Sequence, residues 1–412
     1  MLSLSECTSI SKKTFLEPDT LNASRFKPEY FTRNRKFPFQ SVLKYLISLR
    51  KGSAQHTLND FFDVEGEKAV SQQALSKARS KFSALPFQKV FEAIVKTSYD
   101  DEHISDLQRF NGKFLIAIDG STVTLPNIPE LGRIFGTMSN SPKARASIAY
   151  DVLNDLVIDA DIDEISCGEG LQASCHIYNV EEIINLKEAI FIFDRGYPSR
   201  YLIDRLYDKS NFLMRLKTKF NKEIDALGIG SHIITPYYDD QPIRVIKLQL
   251  NSGEIETLIT NLFDLDEADF KELYFKRWPV ETKYDIVKNK LELPNFTGFT
   301  ENVIYQDFWI SMYMVNIAAV AKYESDILVH EERAHKNNKY QYQTNVNNLI
   351  GTLRGKFANA VFFATEEERN KIIQDIIQKI KRAVVPTNRD SSKVRRGKKR
   401  ITKYHHNRKS NL

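Results

Sequence analysis

Two uninterrupted apolar runs, KFLIAID (113–119) and AIFIF (189–193), each meet an acid at their end, Asp119 and Asp194. A strand with one wet face alternates apolar and polar residues. A continuous apolar run bounded by turn signals reads instead as a strand buried on both faces, the usual setting of a parallel sheet covered by helices. Between the runs, ARASIAYDVLNDLVIDADID (144–163) reads as two strands joined at Leu153-Asn154-Asp155, and NVEEIINLKEA (179–189) has helical spacing. SRYLIDRLYDK (199–209) is helical again and NFLMRLKTK (211–219) is a further strand. The order strand, hairpin, helix, strand, helix, strand defines an α/β unit with a mixed sheet.

Residues 220–262 interrupt that order. PIRVIKLQL and EIETLITNL flank Asn251-Ser252-Gly253, a strong hairpin signal. Upstream, SVLKYLISLRK, SQQALSKARSKFS and LPFQKVFEAIVKTSY carry apolar residues at helical spacing, and helical pattern returns from 266 to about 385. At 412 residues the chain exceeds one ordinary domain. The expected division is a helical region over 1–110, an α/β domain over 111–330 with a β-rich insertion at about 218–262, and a helical region over 331–412.

With 42% hydrophobic and 27% charged residues, the composition describes a globular protein with a sizeable core. MLSLSECTSISKK is too polar for a signal peptide, and Phe308–Ala321 is too short, and interrupted by Asn316, for a membrane span. Cys7, Cys167 and Cys175 have neither disulfide nor metal-site spacing, so a cytoplasmic setting is expected. The eight histidines form no metal pattern, and a structural or capping role is expected for each. The net charge of +6 is unevenly distributed: residues 389–412 carry ten Lys/Arg against Asp390, leaving the rest at −3, with a second basic cluster over 25–50. Basic ends around a mildly acidic body suit a nucleic-acid partner, and equally a solvated tail.

Acids at strand ends collect at the ligand-binding edge of α/β sheets, although an acid there also caps helices and forms turns. Asp119 and Asp194 each precede a glycine-containing turn, Asp119-Gly120-Ser121 and Asp194-Arg195-Gly196-Tyr197. A third acid, Glu281, stands in KELYFKRWPVETKYDIVKNK (271–290) with Tyr274, Arg277 and Lys288. At about 100° per residue these four would project within roughly 60° of one another on a helix. Pro279 points to a helix ending near Trp278 and another opening at Pro279. Three carboxylates can bridge two Mg²⁺ ions, and Arg, Lys and Tyr can hold phosphate oxygens. Taken alone, the Tyr-Arg-Glu-Lys set would be a solvated face with ordinary ion pairs; the two strand-end acids favour a site. Asp159, Asp161 and Asp163 alternate along one strand and are expected on a solvated face.

With these residues in view, the chain resembles DDE transposases of the insertion-sequence-four family of bacterial mobile elements. IAIDGSTVTLP around Asp119, IFIFDRGYPS around Asp194 and the Tyr274, Arg277, Glu281, Lys288 spacing carry the resemblance, over about 111–321. FTRNRKFPF (31–39) also resembles a stretch near the start of such proteins. The resemblance implies a ribonuclease-H-like catalytic domain with a β-rich insertion, flanked by helical N-terminal and C-terminal regions. It implies two Mg²⁺ ions, replaceable by Mn²⁺, held by Asp119, Asp194 and Glu281, with Tyr274, Arg277 and Lys288 on DNA phosphates. The implied activity is cleavage at transposon ends and strand transfer into target DNA. The implied partners are double-stranded DNA, terminal inverted repeats and target, and a second copy in a synaptic complex; no membrane is implied, and the place of action would be the bacterial cytoplasm and nucleoid. A base flipped at the cut end would need an aromatic partner; Trp278 and Trp309 are the only tryptophans, and Tyr237 and Tyr238 are alternatives in the insertion. Two other classes fit the same residues: a catalytically inactive transposase-derived DNA-binding protein, and another ribonuclease-H-like DNA nuclease.

Overall fold

The computed structural model describes residues 1–33, 36–49, 52–235, 241–250, 253–276, 296–335, 340–362 and 365–387. They divide into two compact units. One comprises Met1–Leu2 and Ser83–Asn316, the other Ser3–Phe82 and Ile317–Leu412. These limits differ from divisions at 110 and 330: the helix Leu85–Ser98 belongs with the sheet, and the two helical ends of the chain form one unit.

The first unit is built on a sheet of nine strands among the described residues: β1 (Phe114–Thr124), β2 (Thr137–Met138), β3 (Ser141–Asp151), β4 (Leu156–Glu164), β5 (Ala189–Phe193), β6 (Asn211–Arg215), β7 (Gly230–Ile234), β8 (Ile243–Gln249) and β9 (Ile255–Thr260). Its order is β4-β3-β1-β5-β6-β9-β8-β7, with the short β2 also on β3. β1, β5 and β6 run parallel, and the other pairings are antiparallel. The parallel strands are the continuous apolar runs of the sequence: Phe114–Ile118 and all of Ala189–Phe193 are buried. β9, β8 and β7, from the segment between Asp194 and the helix Glu267–Phe275, extend the sheet beyond β6.

The β3–β4 hairpin turns where expected, with Asp155 in the left-handed region at φ 58°. Asp151, fully buried at the end of β3, accepts from the backbone N–H groups of Leu153 (3.1 Å) and Asn154 (3.3 Å), from Asn154 Nδ2 (2.7 Å) and from the Tyr99 hydroxyl (2.8 Å). The long helix Glu301–Arg333 contains the apolar stretch 308–321, and no helix among the described residues is long and apolar enough to cross a membrane. Asn316 has a structural reason. Its Oδ1 accepts from the Val157 N–H and its Nδ2 donates to the Val157 carbonyl, both at 2.8 Å, capping part of the β4 edge.

The helix before β5 spans Glu169–Glu181, about ten residues earlier than its periodicity suggests, and is followed by a single 3₁₀ turn at Leu186–Glu188. Its buried side is polar as well as apolar, which weakens the amphipathic signal. His176 Nδ1 lies 2.6 Å from Asp159 Oδ2, Asn179 Nδ2 donates to the same oxygen at 2.9 Å, and Gln172 Nε2 donates to Asp161 Oδ2 at 3.0 Å. The Asp159, Asp161, Asp163 face is therefore half-buried under this helix rather than solvated. Each carboxylate that loses water there must be given donors. His176 is a fully buried structural histidine.

The second unit has an aromatic core. Phe31, Phe37 and Phe39, all from FTRNRKFPF, meet Phe82, Phe62 and Tyr45 with ring centroids 5.2–6.4 Å apart. That stretch thus carries packing residues. The helix Leu4–Leu16 opens with a capping box between Ser3 and Glu6, and Phe15 stacks on Phe362 at 5.7 Å.

Two outcomes are expected. Burial pushes the Asp151 carboxyl up to about 6, against the opposing pull of its donors Asn154 and Tyr99. An unfolded aspartate titrates near 4. The stability this group contributes is therefore fullest below about pH 4 and is lost as pH rises through about 6. Chemical denaturation of wild type and Asp151→Asn should show their stability difference shifting against wild type by about 3 kcal/mol over that window; a pH-independent difference would contradict it. Asn316→Ala orphans a strand N–H and C=O and should cost about 2–4 kcal/mol in the same measurement, with a loss below about 1 kcal/mol arguing against the clip.

Candidate functional site

β1 and β5 stay paired through Ile118↔Phe193. The next residues are Asp119, still within β1, and Asp194, the first residue after β5. Asp119 does not end its strand: β1 continues to Thr124, paired with β3 alone, because β5 stops at Phe193. The two acids therefore stand where β1 loses its parallel partner, and both are half-buried. Asp119 Oδ1 accepts from the Gly120 N–H at 2.9 Å, and Ser147 Oγ donates to the Asp119 carbonyl at 3.2 Å.

The turn after Asp194 is held by neighbours. The Tyr197 N–H bonds to the Asp194 carbonyl at 3.1 Å, and the Tyr197 ring is buried against Phe193 at 5.6 Å. Burial, reinforced by the negative charges of Asp119 and Glu169, holds the Tyr197 hydroxyl well above the usual tyrosine range, so it stays protonated. Glu169, in the first turn of its helix, is fixed by Arg145 of β3 at 2.7 Å and lies directly over Gly196. A side chain at 196 would overlap the Glu169 carboxylate and displace that flexible side-chain end.

A second charged group adjoins Asp194 from the extended side of the sheet. Arg215, the last residue of β6, donates through Nε and Nη2 to both oxygens of Glu256 in β9. Its Nη1 reaches Asp194 Oδ1 at 3.5 Å, and its guanidinium lies 5.7 Å from the Tyr274 ring centroid. Arg195 Nη2 shares Glu256 Oε1 at 3.1 Å, and the Glu256 side chain is only 3% exposed. Tyr274, in the helix Glu267–Phe275, is thereby brought to the same corner as Asp194.

Of the six residues singled out by the sequence, Asp194 and Tyr274 both lie against Arg215, and Asp119 follows the last parallel pair of β1 with β5. Arg277, Glu281 and Lys288 lie outside the described residues, as do Trp278, Tyr237 and Tyr238. The described part of the helix ends at Phe275, with Lys276 as its C-cap. Trp309 is packed between Phe91 (5.5 Å) and Phe308 (5.4 Å) and is ill placed to stack on a base. Among the described residues no group of three or more His, Cys, Asp or Glu side chains could hold a metal ion. Asp119 and Asp194 supply two of the hard oxygen donors that Mg²⁺ prefers, a chemistry that fits that ion. Sequence reasoning passed over Arg145, Glu169, Arg195, Arg215 and Glu256. Arg215 carries the signal that marked Asp194, a charge closing an apolar run, whereas Glu256 sits in an alternating strand like any solvated acid.

The mixed sheet, with helical regions before and after it in the chain, is a ribonuclease-H-like α/β fold. The transposase DDE domain family model matches residues 111–317, half of the chain, and the chain belongs to that family. It is 25% identical over 217 residues to the probable transposase for insertion sequence element IS5377 of Geobacillus stearothermophilus, covering 48% of this chain and 54% of that protein. The chain thus spans about half the length of that relative. A stretch of 151 residues is 28% identical to the alanine–tRNA ligase of Caldivirga maquilingensis, covering 34% of this chain and 16% of that enzyme. In fold the chain is similar to piggyBac transposase, solved as a synaptic complex with hairpin DNA, with a TM-score of 0.50 at 11% identity over 93% of this chain and 87% of that one.

Gly196→Ala should push the Glu169 carboxylate aside, strain its contact with Arg145 and cost about 1 kcal/mol or less in denaturant unfolding. In a Glu169→Ala background that cost should largely vanish, because the overlapping carboxylate is gone; an equal cost in both backgrounds would contradict the contact.

Proposed function

We propose that the chain is an insertion-sequence transposase of the insertion-sequence-four branch, cutting DNA at the ends of its own element and joining the freed ends to a target. The observation that supports this reading is that Asp119 and Asp194 each follow the last parallel pair of β1 and β5, Ile118↔Phe193, within a chain that matches the transposase DDE domain. Glu281, seven residues beyond Tyr274, is the candidate third acid. These three carboxylates would hold two Mg²⁺ ions, with Mn²⁺ able to substitute. When bound, such a pair stabilises the attacking and leaving oxygens of an in-line displacement at phosphorus.

The remaining work falls to the chain. Tyr274, Arg277 and Lys288 would hold phosphate oxygens of the DNA end, the arginine in fork geometry and the lysine as a point charge. The protonated Tyr197 and the Arg145–Glu169 pair would keep the turn after Asp194 fixed, so that its carboxylate is presented without reorganisation. The basic residues over 25–50 and 389–412 would bind the flanking duplex, with strong salt dependence. The partners would be terminal inverted repeats, target DNA and a second copy of the chain, in the bacterial cytoplasm.

Asp119→Ala, Asp194→Ala and Glu281→Ala should each lower nicking of an element-end duplex in Mg²⁺ or Mn²⁺ by roughly 10³-fold or more. Gel-shift binding of the same duplex should persist. Cutting at wild-type rates in any of the three would refute its assignment. Binding without cutting by the wild-type chain would favour an inactive, DNA-binding descendant.

A further inference from the structure

We infer that Glu256 is a positioning residue that diverts Arg215 from Asp194 and so preserves that carboxylate's capacity to bind a divalent cation. The inference rests on the proposed metal-dependent reading. Arg215 stands at the end of β6, next to the strand that delivers Asp194, and could pair with that acid head-on. Such a pair would set a fixed cation against a ligand that has to meet Mg²⁺.

The geometry distributes Arg215 otherwise. Two of its nitrogens, Nε and Nη2, engage both oxygens of Glu256, while its third, Nη1, reaches Asp194 Oδ1 at 3.5 Å. A side-on, two-bond contact to a buried carboxylate is the stronger arrangement, and it fixes the guanidinium plane as well as its place. Glu256 also takes Arg195 at 3.1 Å, so its single negative charge faces two guanidiniums. Burial at 3% exposure keeps the group from exchanging those partners for water. Its position on β9 gives the extra strands a task at the site: they carry the acid that sets the cation beside Asp194.

Without the Glu256 charge, Arg215 would turn onto Asp194 and compete with the metal there. The test is Mn²⁺ binding to DNA-free protein, followed by electron paramagnetic resonance, with circular dichroism to verify folding. Glu256→Gln should bind Mn²⁺ about tenfold more weakly than wild type, and adding Arg215→Gln should restore the loss, because the competing cation is then gone. A purely structural glutamate would not be rescued by removing its partner. Wild-type affinity in Glu256→Gln, or no recovery in the double variant, would overturn the inference while leaving the metal-dependent reading intact. Should Glu256→Gln fail to fold, Arg215→Gln alone decides: binding at least as tight as wild type supports the inference, and weaker binding overturns it. Wild-type protein that binds no Mn²⁺ would end the broader reading and this inference with it.

Discussion

Five consecutive parallel pairs, Phe114↔Ala189 to Ile118↔Phe193, determine everything that follows at this site. All ten residues are buried. Each large apolar side chain among them contributes about 1.5–3 kcal/mol on leaving water, which is ample to fix one register. A slip by one residue would turn every side chain of the strand to the opposite face. The acids that follow each run are therefore positioned by the hydrophobic core.

Around that pair the fold arranges compensating charge. Arg145 and Glu169 close over the glycine of the turn after Asp194, and Arg215 and Arg195 share Glu256 beside it. The first group comes from the β1–β3–β4 half of the sheet and its covering helix, the second from the strands beyond β6. Segment 194–197 thus has ion pairs on both sides, Arg145–Glu169 over Gly196 and the Glu256 group beside Asp194 and Arg195. Rigidity at such a turn is what a carboxylate needs if it is to meet an ion in a fixed direction.

Much of this was legible in the residue order. The parallel strands announced themselves because burial on both faces demands unbroken apolar runs, and the β3–β4 turn because Asn154-Asp155 tolerates the left-handed backbone. The helix over Glu169–Glu181 starts earlier than its periodicity suggests because Gln172, Ser174 and His176 share its buried side with Ala173, Ile177 and Val180 and dilute the apolar stripe. The same packing converts Asp159 and Asp161 from expected solvated acids into half-buried acceptors. Glu256 could not be found from sequence: its role depends on β9 lying against β6, a pairing between residues some forty apart with no local signature. The grouping of Ser3–Phe82 with the chain beyond Ile317 is likewise a matter of long-range packing, exemplified by Phe15 on Phe362.

The central claim is that Asp119 and Asp194 share one ion. Replacing Mg²⁺ by Fe²⁺ and adding ascorbate and peroxide generates hydroxyl radicals only where the ion sits, and these cut nearby backbone. Peptide mapping should then find cuts clustered near both 119 and 194 in the wild-type chain, and both clusters should disappear together in Asp119→Ala. Cuts confined to one of the two segments, or a cluster at 194 that survives the loss of Asp119, would contradict the account.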